Sequence, residues 1–169
     1  MYIMEQSEIK NSFIYFKIGK ENYAIVVNKV LEILQAGKLT TIPNSSEFVK
    51  GVLNFRGEIV PVIDMHKRFN LKKQDDTTKM IIIIDLETEK KNVLMGLLVD
   101  QVKDVIEIEY KSIRKVPDIG INYNPEFLEG MIEKDDQFIL LLNVDKVLNI
   151  NELTEIQNVV VQKTASSEN

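Results

Sequence analysis

Val27-Asn28-Lys29-Val30-Leu31-Glu32-Ile33 returns, at a constant offset, as Val99-Asp100-Gln101-Val102-Lys103-Asp104-Val105. Each copy follows a hairpin. Before the first, Ser12 to Ile18 alternates, with Ile14, Phe16 and Ile18 on one strand face and Tyr15 and Lys17 on the other. Gly19-Lys20-Glu21-Asn22 turns the chain into a returning strand, Tyr23 to Val27. Before the second, Lys79 to Leu86 and Val93 to Val99 flank the charged turn Glu87 to Asn92. Ile81 to Ile84 is short and wholly β-branched, which favours a strand buried on both faces over a helix.

The correspondence continues outward. Pro43 matches Pro117, Phe48-Val49-Lys50-Gly51 matches Phe127-Leu128-Glu129-Gly130, and the strand Ile59 to Ile63 matches Phe138 to Leu142. Asp64 and Asn143 follow those strands as candidate N-caps of short amphipathic segments, Met65 to Phe69 and Val144 to Leu148. Two strand-dense units of about 65 to 70 residues point to paired small β-barrels rather than one sandwich. The expected organisation is a flexible stretch over 1–11 and a duplicated region over 12–150, its repeats spanning 12–72 and 79–150. A short helix capped by Asn151 is expected to run through Val160, with Leu153, Ile156, Val159 and Val160 on one side. Gln162 to Asn169 offers no apolar anchor and reads as a disordered tail.

The 169 residues, 44% hydrophobic and 28% charged, suffice for a core without covalent staples. With no cysteine and one histidine, disulfides, thiolate chemistry and a His/Cys metal site are not expected, nor is any cofactor. The net charge of −5 argues against a nucleic-acid partner. Met80 to Ile84 and Phe138 to Leu142, the longest apolar runs, are too short to span a bilayer, and Met1 to Lys10 lacks a signal-peptide core. A cytoplasmic protein without direct membrane insertion is expected. His66 follows Asp64, but no nucleophile elbow, phosphate loop or second carboxylate at catalytic spacing accompanies it, so it reads as a solvated histidine and the chain as a non-enzyme.

The run Phe48-Val49-Lys50-Gly51-Val52-Leu53-Asn54-Phe55-Arg56-Gly57-Glu58-Ile59-Val60-Pro61-Val62-Ile63-Asp64 resembles the signature of the CheW family: an apolar pair and Gly, an Asn-x-Arg-Gly turn, then an apolar strand with Pro-x-x-Asp. Val30-x-Glu32-Ile33, Leu39 to Pro43 and Gly96-Leu97-Leu98-Val99-Asp100 are similar to further family positions, so the resemblance spans about residues 12 to 150. It implies an all-β chain of two SH3-like five-stranded barrels. The implied role is a non-catalytic chemotaxis adaptor, monomeric in isolation, that joins the cytoplasmic tip of chemoreceptors to the regulatory domain of the histidine kinase CheA in membrane-associated arrays. A coupling protein for another chemosensory output such as twitching motility, or a CheV-type adaptor module lacking its receiver domain, stays open on the same residues.

The resemblance also implies site residues. As bare sequence Arg56 is a solvated turn arginine; the resemblance makes it a receptor contact, for which a guanidinium with several donors is suited. Gly51 and Gly57 frame it, and each has a backbone reason of its own. Val30, Val102 and Val105 read equally well as barrel core, while the resemblance places them, with Glu32 and Gly96, along a partly exposed groove that accepts a receptor helix with polar groups at its rim. Arg114, Asp118 and Ile119, around Pro117, read as a surface turn. By resemblance they contact the kinase, although the family more usually has an aromatic residue where Ile119 stands.

Overall fold

A computed structural model describes residues 10–43, 45–71, 79–117 and 125–167. Ten strands follow in order: β1 (Lys10–Ile18), β2 (Glu21–Val26), β3 (Val30–Gln35), β4 (Val49–Phe55), β5 (Glu58–Asp64), β6 (Met80–Glu87), β7 (Asn92–Val99), β8 (Gln101–Glu109), β9 (Leu128–Lys134) and β10 (Gln137–Leu142). Helix α1 (Met65–Arg68) follows β5, and α2 (Ile150–Ser167) closes the chain. The strands form two five-stranded sheets, β8-β1-β2-β10-β9 and β3-β6-β7-β5-β4. Each repeat of the sequence therefore gives strands to both sheets. The second sheet is one continuous stretch, Val30–Val99, inserted between β2 and β8 of the first.

Each sheet closes on itself through a short bridge. Thr40 and Val52 exchange N–H···O bonds of 3.0 and 2.8 Å, and Arg114 and Met131 exchange bonds of 2.9 and 2.8 Å at the matching place in the other sheet. Gly51 and Gly130 sit beside these closures because nothing larger fits. A Cβ on Gly51 would lie 2.6 Å from the Thr40 carbonyl, and one on Gly130 2.8 Å from that of Arg114. The duplication extends to the bulges: Leu31 is skipped in the β3–β6 register and Lys103, its counterpart, in the β1–β8 register.

Strand alternation then builds three cores. Phe13, Ala24, Ile106, Ile132, Ile139 and Leu141 fill the first barrel, and Phe55, Val60, Val62, Ile81, Ile83 and Leu98 the second. The opposite strand faces meet between the barrels, where Ile14, Phe16, Tyr23 and Ile25 pack with Ile82, Ile84, Met95 and Leu97. Ile81 to Ile84 is buried on both faces because odd positions enter a barrel and even ones enter this seam.

The caps after β5 and β10 stand where the sequence places them, but the cap expected at Asn151 is corrected to Asn149, since the helix already includes Ile150 and Asn151. Asp64 accepts the N–H of His66 at 3.0 Å, and Asn143 that of Asp145 at 3.2 Å. Helix α2 begins with a reciprocal capping pair, the Glu152 N–H donating to Asn149 Oδ1 at 2.8 Å and the Asn149 N–H to Glu152 Oε1 at 3.4 Å. The expected stop at Val160 is corrected: the backbone stays helical to Ser167, so most of the tail read as disordered is helix. None of Gln162 to Ser167 is a strong helix breaker, and a helix already nucleated extends cheaply. Arg68 fastens this helix. Its guanidinium lies between the rings of Phe48 and Phe127, 4.9 Å from each, and donates to the Val147 carbonyl at 2.7 Å and to Glu152 Oε1 at 3.1 Å.

Candidate functional site

Barrel closure carries the β4–β5 hairpin back toward β3, and this places Arg56 beside Glu32. The hairpin tip has φ of +51° at Arg56 and +85° at Gly57, as a two-residue primed turn requires. Glycine is at ease there; arginine is not, and its surroundings hold it. Asn54 Oδ1 accepts the Gly57 N–H at 3.0 Å. Arg56 Nη2 donates to Glu32 Oε2 at 3.2 Å, and the guanidinium stands 4.8 Å over the Phe55 ring. The Arg56 side chain is 70% exposed, so the pair adds little stability and instead fixes where the charge points. Glu32 and Arg56 are thus one paired unit rather than two separate rim charges.

The valines belong to the seam. Val30 lies opposite Ile84, and Val102 opposite Phe16; partners in register share a face, so both extend the central apolar surface onto the outer strands. Val105, opposite Ile14, is 56% exposed, and its counterpart Ile33, opposite Ile82, is 36% exposed. Ile33 escapes a sequence reading because alternation alone does not say where a face runs out of cover. Strand β3 joins the two groups, with Val30 and Ile33 on its seam face and Glu32 on the other.

Other candidates have structural duties. Gly51 is buried at the barrel closure. Gly96 is buried inside the second barrel, where a Cβ would meet Ile81 Cγ2 at 2.8 Å and Val62 Cγ2 at 3.2 Å. Arg114 is exposed at the closure of the first barrel, while Asp118 and Ile119 lie outside the described residues. His66 is corrected: it is buried rather than solvated, its Nε2 2.8 Å from both carboxylate oxygens of Asp100. Among the described residues no cluster of three or more His, Cys, Asp or Glu side chains could hold a metal, and no helix is long and apolar enough to cross a membrane.

Residues 12–152 match the family model of the CheW-like domain. The chain belongs to the CheW-like domain family. It is 30% identical over 152 residues to the chemotaxis protein CheW of Klebsiella aerogenes, covering 89% of each chain. Over 148 residues it is 30% identical to the chemotaxis protein CheW of Bacillus subtilis, covering 85% of this chain and 91% of that one. The crystal structure of the scaffolding protein TtCheW from Thermoanaerobacter tengcongensis superposes with a TM-score of 0.76 at 29% identity, covering 90% of this chain and 96% of that one. The paired five-stranded barrels are therefore the CheW fold.

Proposed function

We propose that the chain is a non-catalytic chemotaxis adaptor that couples chemoreceptors to the histidine kinase CheA. Family membership supports the scaffolding role. One observation carries the receptor side: an exposed guanidinium, pinned at a hairpin tip by Glu32 and Phe55, on the barrel whose outer strand extends the seam's apolar face. An amphipathic helix from a receptor tip would lay apolar side chains on Val30, Ile33, Val102 and Val105. It would offer carbonyls or a carboxylate to Arg56. The regulatory domain of CheA would contact Arg114, at the closure of the other barrel, together with Asp118 and Ile119, so that one small protein holds two partners.

An adaptor of this kind needs no cofactor. Signalling state passes through differential contacts, and effective concentration in a cytoplasmic receptor array substitutes for tight pairwise binding. In isolation the protein is a monomer. Arg56→Glu tests the reading. Arg56 is largely exposed and meets the barrel core only at the Phe55 ring, so melting falls by no more than about 2 °C. Binding to a receptor tip hairpin falls by about thirtyfold or more, because a charge-assisted contact at the centre of a small interface is replaced by repulsion. Unchanged melting with unchanged hairpin binding sinks the assignment.

A further inference from the structure

The chain passes between the two sheets twice, and the duplication makes these crossings counterparts built in different ways. From β2 to β3 it takes three residues, Val27–Lys29. Asn28 there is exposed, and Lys29 reaches Asp145 at 3.6 Å with the Asp145 side chain 48% exposed. Asn28, Lys29, Asn143 and Asp145 border an open cleft of about 240 Å³. From β7 to β8 the chain takes one residue, Asp100. Its N–H donates to the Lys17 carbonyl at 3.0 Å, and its Oδ2 accepts the Gly19 N–H at 2.6 Å. His66 stands 2.8 Å from both of its oxygens. By the repeat, Asp100 corresponds to Asn28 and His66 to Asp145. One crossing is thus half-buried and tied by its carboxylate to two segments, while the other exposes Asn28 beside a cleft.

We propose that His66 and Asp100 are a positioning pair that pins one crossing, and with it the start of β8, while the Val27–Lys29 crossing has no such pin among the described residues. His66 donates through Nε2, since the two carboxylate oxygens it faces can only accept. Together with the Gly19 N–H it satisfies a carboxylate that is mostly withdrawn from water. The pin joins the turn after β1 in the first barrel to α1, which follows β5 of the second. Val102, two residues beyond the pin and opposite Phe16, is then held in place on the seam. In its bearing on partner binding this rests on the receptor reading above; the pin itself needs no partner to be tested.

Amide hydrogen exchange on the full chain provides the test. In the unmodified protein the amides of Asn28 and Lys29 exchange at least about tenfold faster than those of Gly19 and Gln101. His66→Phe, which keeps a ring but loses the donor, accelerates Gly19 and Val102 by about tenfold or more, the scale of a hydrogen bond to a charged group. His66→Gln, whose amide reaches the place of Nε2, restores them. The phenylalanine variant also binds a receptor tip hairpin more weakly and the glutamine variant does not. Equal exchange at the two crossings in the unmodified protein overturns the proposal, as does a uniform acceleration of both barrels in His66→Phe, which marks an ordinary core contact. Absent hairpin binding by the unmodified protein would refute the receptor reading and leave the exchange result standing.

Discussion

Gly96 shows how narrowly a single position is fixed. The Cβ of an alanine there would press against Ile81 and Val62 inside a closed barrel, with no solvent side to move toward. Gly96→Ala is expected to cost about 1–3 kcal/mol and to lower the melting temperature by about 3–10 °C. Glu129 carries a different strain. Partial burial, and next the charge of Asp145, raise its carboxyl above the ordinary 4.5, with Lys146 opposing. The folded chain then holds that proton more tightly than the unfolded chain does, so ionisation of Glu129 costs stability as pH rises through 4.5 and beyond. Glu129→Gln should therefore melt higher than the parent at about pH 7, with the gain vanishing at about pH 3.5, where the carboxyl is protonated in both states. Differential scanning calorimetry at the two pH values checks both sign and window. At this scale the sequence conveys Arg56 well, since a turn motif is local. It hides His66: a polar residue after a strand looks solvated until Asp100, from the crossing between β7 and β8, is folded against it.

Helix α2 is fastened near its start by Arg68, and Leu153, Ile156 and Val160 pack it on the core. The fork of Arg68 bonds Val147 and Glu152 while its plane lies between two phenylalanines that are themselves counterparts in the repeat. Arg68→Ala leaves the Glu152 carboxylate, 18% exposed at its side chain, without its cation. We expect a loss of about 1–3 kcal/mol and faster hydrogen exchange over 150–160, with the barrels unaffected. Lysine should not rescue it, because an ammonium cannot lie flat between two rings and bond two acceptors at once. Undiminished protection of α2 in Arg68→Ala would mean that Leu153, Ile156 and Val160 dock the helix unaided. The strands and the caps at Asp64 and Asn143 were legible because alternation and an Asp or Asn after an apolar run are local signals, whereas two candidate asparagines near the start of α2 let the cap be read at Asn151 instead of Asn149. The helix length was not, since Gln162 to Ser167 carries no apolar stripe, and continuation depended on a nucleus formed at Asn149 and Glu152.

At the scale of the whole molecule, the units visible in the sequence are not the units of the fold. The repeats divide the chain near 72–79, whereas the second barrel is the continuous stretch 30–99 and the first is assembled from what lies on either side. Periodicity could not reveal this exchange, because β8 presents the same alternation whether it pairs with β1 or with a strand of its own repeat. A fragment of residues 30–99 should show the circular dichroism of a β-sheet, although its uncovered seam of Ile82, Ile84, Met95 and Leu97 will favour association. A fragment of residues 12–72, one sequence repeat, should be unfolded. A folded 12–72 beside an unfolded 30–99 would contradict the exchange. The intact chain should melt in one transition, since the seam belongs to both barrels.

The insertion of one barrel within the other also sets an order of events during translation. The β1–β2 hairpin leaves the ribosome first, but β8 and β10, the strands that flank it in its sheet, follow only after all of 30–99 has been made. At ordinary elongation rates that gap lasts on the order of several seconds. Through it, Phe13, Phe16, Ile18 and Tyr23 hang from the nascent chain with no sheet to enter. The inserted barrel, complete at Val99, offers its seam face as the first surface on which that hairpin can settle, so the protein's own middle serves as the chaperone of its beginning.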